Sequence, residues 1–295
     1  MKRTFVILII FLIAGVLPAA SLKVSPGGFI VHDVIPGKTY NLQETTGVKL
    51  SIFNDDDTTH TYSLTVRKPS VAGKWEKGYD EIPEPGWCWF EPKEATIGPR
   101  KVGYGNLYFR VPEKERYFNQ RWAAALGVMG KQESGIGFGL GIYVRIQMET
   151  ESRADSKGIP EGLTALKPNL LHFEKFLPGT SQTGKLTVYN NDIKKHIYKI
   201  SFLSEEKERP ASAYRTHSFD PLPDSSWIAL ENKTFEIAAG GSFILNVKIR
   251  IPHEQGYENK KWEEILFLEP ETGLSGFVRL RISTGEKDVQ ANPGK

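Results

Sequence analysis

One stretch that occurs twice constrains the fold of this chain more than any other feature. Pro112 to Trp122 and Pro252 to Trp262 both read Pro-x4-Tyr-x-Asn-x2-Trp, with a basic residue directly before the Trp. Each copy follows a segment in which apolar and polar residues alternate, which is the pattern of a strand with one buried face. We therefore expect the chain to contain two versions of one domain.

The similarity between the two halves extends beyond this motif. Residues 184–192 correspond to residues 48–56 at an offset of 136, and Asn246 to Pro252 corresponds to Asn106 to Pro112 at an offset of 140. The corresponding segments come in the same order in both halves. A duplication explains this order better than chance does.

Each copy reads as a series of short strands separated by turn residues, without a long helical period. This pattern predicts an all-β chain of two tandem immunoglobulin-like antiparallel β-sandwich domains, with a jelly roll as the main alternative. The expected organisation is a signal peptide over 1–21, a first domain over 22–150, a linker over 151–162, a second domain over 163–285 and a polar tail over 286–295.

The first residues have the composition of an export signal. Lys2 and Arg3 precede the apolar run from Phe5 to Val16, and small residues follow from Leu17 to Ser21. A retained membrane anchor is the alternative, but the run is shorter than the roughly 20 residues that span a bilayer. We expect an exported chain that is periplasmic, extracellular or at the cell surface and reaches a membrane only through a partner.

Charge and cysteine content exclude some functions. Removal of Lys2 and Arg3 would lower the formal net charge from +3 to +1, so the chain lacks the basic excess of a nucleic-acid-binding protein. Cys88 is the only cysteine, which excludes an intrachain disulfide. It lies between Trp87 and Trp89 and is expected to be a small buried side chain rather than a nucleophile.

A glycine-rich run near the end of the first half is the feature that the second half lacks most clearly. In Ser134 to Gly141, glycine alternates with apolar residues. No helix follows to receive a phosphate, which argues against a nucleotide loop. Flat glycine-rich strands can accept an added strand, so we expect a partner-binding edge here. Its candidate residues are Gly135, Gly137, Phe138, Gly139 and Gly141.

The segment between residues 75 and 90 carries more aromatic residues than its counterpart in the second half. Trp75, Trp87 and Trp89 are the candidates for an aromatic patch at one end of the sandwich. Such a patch could anchor a protein partner or stack on sugar rings. The carbohydrate interpretation stays open as an alternative.

Other repeated residues are expected to be structural. Trp122 and Trp262 should fill the two cores, and the Asn of each motif should hydrogen-bond its own turn. His60 and its counterpart His196 are expected on strand faces. The acidic turn around Asp55–Asp57 lacks the Gly and distal Glu of an EF-hand loop and is expected to be solvated, although Ca²⁺ binding there stays open.

The order of these features resembles a known class of proteins. Each half has a Pro-Gly turn, an alternating strand that ends in Asn plus an acidic residue, a Trp-bearing loop and a strand that ends in Pro, exemplified by Pro36, Asn54, Trp87 and Pro112. This layout, from Leu22 to about Thr284, resembles the tandem immunoglobulin-like modules of bacterial cell-surface and periplasmic proteins, and more loosely the pilus-assembly chaperones. The resemblance implies a binding or scaffolding module outside the cell. It departs from the surface proteins in lacking their C-terminal membrane helix, and it does not place the basic cleft residues of the chaperones.

The sequence contains no Gly-x-Ser-x-Gly elbow, no His-Glu-x-x-His pair and no zinc-spaced cysteines. The sequence therefore predicts a non-catalytic protein without cofactor or metal. Its expected partner is another envelope or surface protein, held through a sheet edge or the aromatic loop. A carbohydrate-binding module of the envelope, with polysaccharide as ligand, and a hydrolase with an unrecognised site are the alternatives.

Overall fold

A computed structural model describes residues 22–73, 76–131, 141–206, 211–254, 256–273 and 275–285. The expected signal peptide, the polar tail and the glycine-rich run before Gly141 lie outside the described residues. Within the described ranges, no helix has both the length and the apolar character needed to cross a membrane.

The first half is built of short strands around one small insertion. Its strands are β1 (Leu22–Ser25), β2 (Gly28–Val34), β3 (Tyr40–Asn41), β4 (Leu50–Asn54), β5 (His60–Arg67), β6 (Asp80–Glu81), β7 (Cys88–Phe90), β8 (Glu94–Ile97), β9 (Val102–Gly105), β10 (Leu107–Phe109), β11 (Arg121–Gly130) and β12 (Gly141–Thr150). Its helices are α1 (Leu42–Thr46) and 3₁₀ turns at Pro69–Ala72, Pro85–Trp87 and Glu115–Tyr117.

These strands form two layers that enclose one core. One layer has the order β2-β12-β11-β5-β8, and the other consists of β1-β4-β9 and β3-β10-β7. Alternate residues of both layers point inward, as in β4, where Leu50 and Ile52 are fully buried and Ser51 is not. The core between the layers is therefore that of a β-sandwich.

The second half repeats this arrangement. Its strands are β13 (Thr164–Lys167), β14 (Leu170–Phe176), β15 (Ser181–Asn190), β16 (His196–Phe202), β17 (Asp220–Pro221), β18 (Ile228–Leu230), β19 (Thr234–Ile237), β20 (Ser242–Arg250), β21 (Lys261–Pro270) and β22 (Gly276–Thr284). Its 3₁₀ turns are Leu203–Glu205, Ala211–Ala213 and Ser225–Trp227. The two layers have the orders β13-β15-β20-β18 and β14-β22-β21-β16-β19.

The strand order is that of an immunoglobulin-like sandwich in both halves. Each long sheet is antiparallel along its main path except where its first strand runs parallel to its last, as in β2 with β12 and β14 with β22. The short strands β6 and β17 also run parallel to β11 and β21. The chain crosses from one layer to the other between β18 and β19, as it does between β7 and β8. The predicted fold class, two tandem immunoglobulin-like sandwiches, is confirmed.

The first domain carries an insertion that the second lacks. The Pro36-Gly37 turn corresponds to Pro178-Gly179 at an offset of 142, whereas Leu50 corresponds to Leu186 at an offset of 136. The six additional residues hold α1 and separate β3 from β4, where the second domain has the continuous strand β15. Asn41 caps α1 by accepting a hydrogen bond from the Glu44 amide.

The Trp of the repeated motif is buried in the core of each domain, as the sequence predicts. Trp122 and Trp262 are 1% and 4% exposed and belong to the two large apolar clusters. Each contacts a second Trp edge to face, Trp87 at 5.3 Å and Trp227 at 5.6 Å between ring centroids. The Tyr of each motif completes the aromatic set. The aromatic residues of the motif thus pack in the same way at the same end of both sandwiches.

The role predicted for Asn119 is wrong in one respect. Its backbone has a positive φ of 61°, as expected for a turn, but its side chain bonds other segments of the chain. Its amide donates to the Arg153 carbonyl at 2.8 Å, and its oxygen accepts from the amides of Arg153 at 2.9 Å and Asn169 at 3.3 Å. Asn119 therefore ties the first domain to the segment that leads into the second.

The two motif asparagines form a matched pair for a stability measurement. Asn259 also has a positive φ of 55° but is exposed, so Asn259→Ala removes only the preference of Asn for this backbone conformation. Asn119→Ala also removes the bonds to the linking segment. We expect Asn119→Ala to lower the free energy of unfolding by about 2 kcal/mol more than Asn259→Ala. Urea denaturation of both variants measures the difference, and equal losses would contradict this role.

Candidate functional site

The two domains pack through the outer faces of their long sheets. A cluster of buried apolar residues joins them, and its members are Tyr79, Ala123, Leu203, Tyr214, Ile265, Phe267 and Phe277. One face of β11 and of β21 packs against the core of its own domain, and the opposite face packs against the partner domain. Both strands are therefore buried almost throughout. The outer faces of these sheets are thus an interface and not a free surface.

A buried charged group lies at the centre of this interface. Arg279 of β22 is 1% exposed and donates from Nε to Glu149 of β12 at 2.8 Å. Its Nη1 donates to Glu263 of β21 at 2.9 Å, and its Nη2 donates to the other oxygen of Glu149. One guanidinium therefore holds a carboxylate from each domain.

Further donors saturate the same two carboxylates. The Tyr79 hydroxyl donates to Glu149 at 2.7 Å, and the Nδ1 atom of His32 lies 3.6 Å from it. Glu263 accepts from the amide and hydroxyl of Thr216, both at 2.9 Å, and from Arg281 at 3.1 Å. The network thereby links β2, β12, β21 and β22.

The network sets the charge states of its members. Burial alone would raise the pKa of the Glu149 carboxyl, but Arg279 and His32 hold it well below its usual value. Burial lowers the pKa of the neighbouring Arg121 guanidinium to about 10, against the attraction of Glu149. Burial, reinforced by Glu149, raises the pKa of the Tyr79 hydroxyl. Glu149 is therefore ionised and Tyr79 neutral at ordinary pH.

The residue of the first domain that corresponds to Arg279 serves as a control for replacing Arg279. Arg145 of β12 occupies the position of Arg279, since each pairs with the first residue of its parallel neighbour strand. Arg145 is exposed and pairs with Glu76. We expect Arg279→Met to lower the free energy of unfolding by about 3–5 kcal/mol, because two buried carboxylates lose the guanidinium that they share. Arg145→Met should cost less than about 1 kcal/mol. Similar losses in chemical denaturation of the two variants would exclude a special role for Arg279.

A second ionisable group lies near the domain junction. Asp80 on β6 is half-buried, and its carboxylate lies close to Gly162 of the linking segment. Burial raises the pKa of the Asp80 carboxyl to about 6. Its counterpart Asp220 on β17 is exposed.

The raised pKa of Asp80 predicts a pH-dependent loss of stability. Because the folded-state value exceeds the ordinary value of 3.8, the native chain binds more protons than the unfolded chain between about pH 4 and 6. This contribution is favourable at low pH and is lost as the pH rises through 6. Asp80→Asn should gain about 1–2 kcal/mol over the wild type at pH 8 and nothing at pH 4. Thermal unfolding at the two pH values measures this gain, with Asp220→Asn as the control that should show no such difference.

The edge of β12 is open beyond the start of β2. β12 pairs with β11 from Gly141 to Glu149, but on its other side β2 begins at Gly28, opposite Arg145. Residues 141–144 therefore have no hydrogen-bonded strand partner on that side within the described chain, although β1 lies near β12. Gly141 is exposed, and Tyr143 is half-buried.

Backbone directions show which groups face this edge. The Arg145 amide donates toward β2, to the Gly27 carbonyl at 3.4 Å. Because the hydrogen-bonding direction alternates along a strand, the amide and carbonyl of Tyr143 point to the same side, whereas those of Ile142 point to β11. Tyr143 thus presents an unpaired donor and acceptor at the edge, in the described part of the chain.

The corresponding edge of the second domain is covered. Phe277 occupies the position of Tyr143 and is fully buried against Tyr79 and Arg121 of the first domain. Gly276 lies so close to Thr164 that a Cβ atom there would meet it at 3.1 Å. Of the two equivalent residues, Phe277 is fully buried and Tyr143 is half-buried.

The structure places the predicted binding residues in three groups. Gly141 lies at the open edge of β12, and Gly135, Gly137, Phe138, Gly139 and Trp75 lie outside the described residues. Trp87 packs against Tyr117 at 5.1 Å and against Trp122 in the core, whereas Trp89 stacks on Tyr108 at 5.8 Å across β7 and β10. Trp87 and Trp89 thus have different ring partners, and the structure does not bring them into one patch.

The other candidate residues have local partners. Cys88 is buried, and burial raises the pKa of its thiol to about 12. His60 and His196 each pair with the Asp four residues earlier, at 2.9 and 2.8 Å. In the acidic turn, Asp57 pairs with Arg100 at 2.9 Å. These contacts hold the turns at the ends of strands.

The charged network around Arg279 was not predicted from the sequence. One available signal was charge inside otherwise apolar strands: Glu263 and Glu264 interrupt β21, and Arg279 and Arg281 interrupt β22. In a strand that is buried on both faces, such charges need partners from another element. Which element supplies them depends on how the domains dock, and the repeat pattern does not specify that.

No family model matches this chain, and no curated protein matches it in sequence. Among solved structures, it is similar to a protein of unknown function from Porphyromonas gingivalis W83, at 12% identity and a TM-score of 0.35, over 89% of this chain and 99% of that one. It is also similar to the Salmonella enterica SafA pilin in complex with the SafB chaperone, at 10% identity and a TM-score of 0.32, over 90% and 97%. It is similar as well to the E. coli chaperone DraB, at 9% identity and a TM-score of 0.31, over 88% of this chain and 98% of that one. With TM-scores below 0.5, these likenesses carry no weight for function.

Proposed function

We propose that this chain is an exported, non-catalytic module that holds an extended segment of another envelope or surface protein along the open edge of β12. The observation that carries the proposal is the difference between the two equivalent edges. The second domain uses its edge around Phe277 to pack against the first domain. The first domain leaves the edge around Tyr143 open within the described chain.

The chemistry of the edge favours a backbone ligand. An added strand would continue the line of β2 and pair with the donor and acceptor of Tyr143. Side chains of that segment would meet the half-buried rings and aliphatic groups of Tyr143 and Ile142. The glycine-rich run that precedes Gly141 in the sequence is free of bulky charged side chains from Gly135 onward, which suits close backbone approach.

Replacement of Tyr143 by proline tests this proposal. Tyr143→Pro removes the amide that faces the edge and leaves the ladder between β12 and β11 in place, because proline is tolerated on edge positions. Tyr143→Val keeps the amide and serves as the control. The purified chain captures partners from envelope extract, the captured protein is mapped by limited proteolysis, and the protected segment is synthesised as a peptide.

We expect Tyr143→Pro to weaken binding of that peptide by about tenfold or more, and Tyr143→Val by about threefold or less. Gly139→Pro, in the glycine-rich run, should act like Tyr143→Pro. Unchanged thermal unfolding midpoints show that the variants are folded. Equal affinity of the wild type and both proline variants would exclude edge-strand binding.

The stacked pair of Trp89 and Tyr108 supports a second candidate, a carbohydrate-binding surface. Two half-buried stacked rings on the outside of a sheet can support a sugar ring. Retention on cell-wall polysaccharide that is lost with Trp89→Ala and kept with Tyr143→Pro would favour this function. Trp87 is not part of it, because its ring packs against Tyr117 and Trp122.

A further inference from the structure

A cleft of about 710 Å³ lies between the two domains, next to the buried charges. Three segments line it: β2, the insertion that holds α1, and the loop 212–218 of the second domain. The insertion has no counterpart in the second domain. A cleft of this size is in the range that small organic ligands occupy.

The walls of the cleft differ in chemistry. Pro26, Ile30 and Val48 supply an apolar wall from the first domain, and Val48 is 44% exposed. The loop of the second domain supplies hydrogen-bond donors, from Ser212, Arg215, His217 and Ser218. Among the described residues that line the cleft, none carries a carboxylate.

Arg215 is the charged group of this wall that lacks an internal partner. Its Nη1 atom is buried without a hydrogen-bond acceptor, and Arg215 forms no ion pair with another described residue. A buried N–H group without a partner costs about 1–3 kcal/mol. An oxyanion in the cleft that draws the guanidinium toward it would relieve this cost, since the planar fork of Arg matches carboxylate and phosphate oxygens.

The charged network next to the cleft does not meet this need. Glu263 is already held by Thr216, Arg279 and Arg281. The hydroxyls of Thr45 and Thr46 donate to backbone carbonyls at the start of α1. His32, which lines the first-domain wall, contacts Thr216 at 3.3 Å and lies 3.6 Å from Glu149. The donors that remain free are therefore on the loop around Arg215.

We propose that this cleft binds a small amphipathic anion, with an oxyanion head at Arg215 and an apolar body against Ile30 and Val48. The head is a carboxylate or a phosphate, which share the required acceptor geometry. This site is separate from the open edge of β12 and takes a different class of ligand.

Isothermal titration of the mature chain with four probes tests the site. Octanoate and octyl phosphate carry the two candidate heads, octanamide lacks the charge, and inorganic phosphate lacks the apolar body. We expect saturable binding of octanoate or octyl phosphate, at least about tenfold tighter than of octanamide or inorganic phosphate. The better of the two charged probes identifies the head group.

Variants locate the binding. Arg215→Gln should weaken binding of the charged probe about tenfold or more, and Arg215→Lys should weaken it less. Val48→Glu places a negative charge on the opposite wall and should also weaken it. Arg250→Gln, an exposed change on β20, is the matched control and should leave binding unchanged.

The proposal is overturned if neither charged probe binds the folded chain, or if octanamide binds as tightly as octanoate. It is also overturned if Arg215→Gln and Val48→Glu bind like the wild type. Tyr143→Pro should not alter the titration. A loss of peptide binding with intact anion binding, or the reverse, therefore separates the two proposals.

Discussion

The relative placement of the two domains depends on one buried guanidinium. Arg279 holds Glu149 of the first domain and Glu263 of the second at the same time. A charge buried to this extent is tolerated only when it is paired and hydrogen-bonded, so the arrangement of the sheets around it is tightly restricted. Apolar contacts such as Phe277 with Tyr79 bring the sheets together, and the charged group specifies how they dock.

Because the domains dock asymmetrically, equivalent positions on β12 and β22 differ in burial. The outer face of β22 and its edge are covered when Arg279 and Phe277 turn toward the first domain. At the equivalent positions of β12, Arg145 is exposed and Tyr143 is half-buried. The cleft also exists only because the domains dock, with the insertion after β3 on one side and the loop around Arg215 on the other. Duplication followed by asymmetric docking thus supplies both candidate binding surfaces.

The sequence predicted the fold well because its signals are local. Alternation along strands such as β4, the turn residues and the repeated Trp122 motif each depend on neighbours in one domain. The domain interface could not be predicted in this way, since Glu149, one of the two partners of Arg279, lies 130 residues away in the other domain. Trp87 was assigned to a surface patch because composition does not show that its ring packs against Tyr117 and Trp122. Gly141 belongs to the segment predicted as a binding edge, and that role stays a prediction.

Hydrogen exchange measured residue by residue by NMR tests whether Tyr143 presents an unpaired backbone edge that a partner segment fills. Ile142 serves as an internal reference because its amide faces β11. We expect fast exchange of the Tyr143 amide and slow exchange of the Ile142 amide in the free chain, and we expect the Tyr143 amide to become protected when the partner peptide binds. Protection of Tyr143 in the free chain, or exchange of Tyr143 that the bound peptide leaves unchanged, would contradict it.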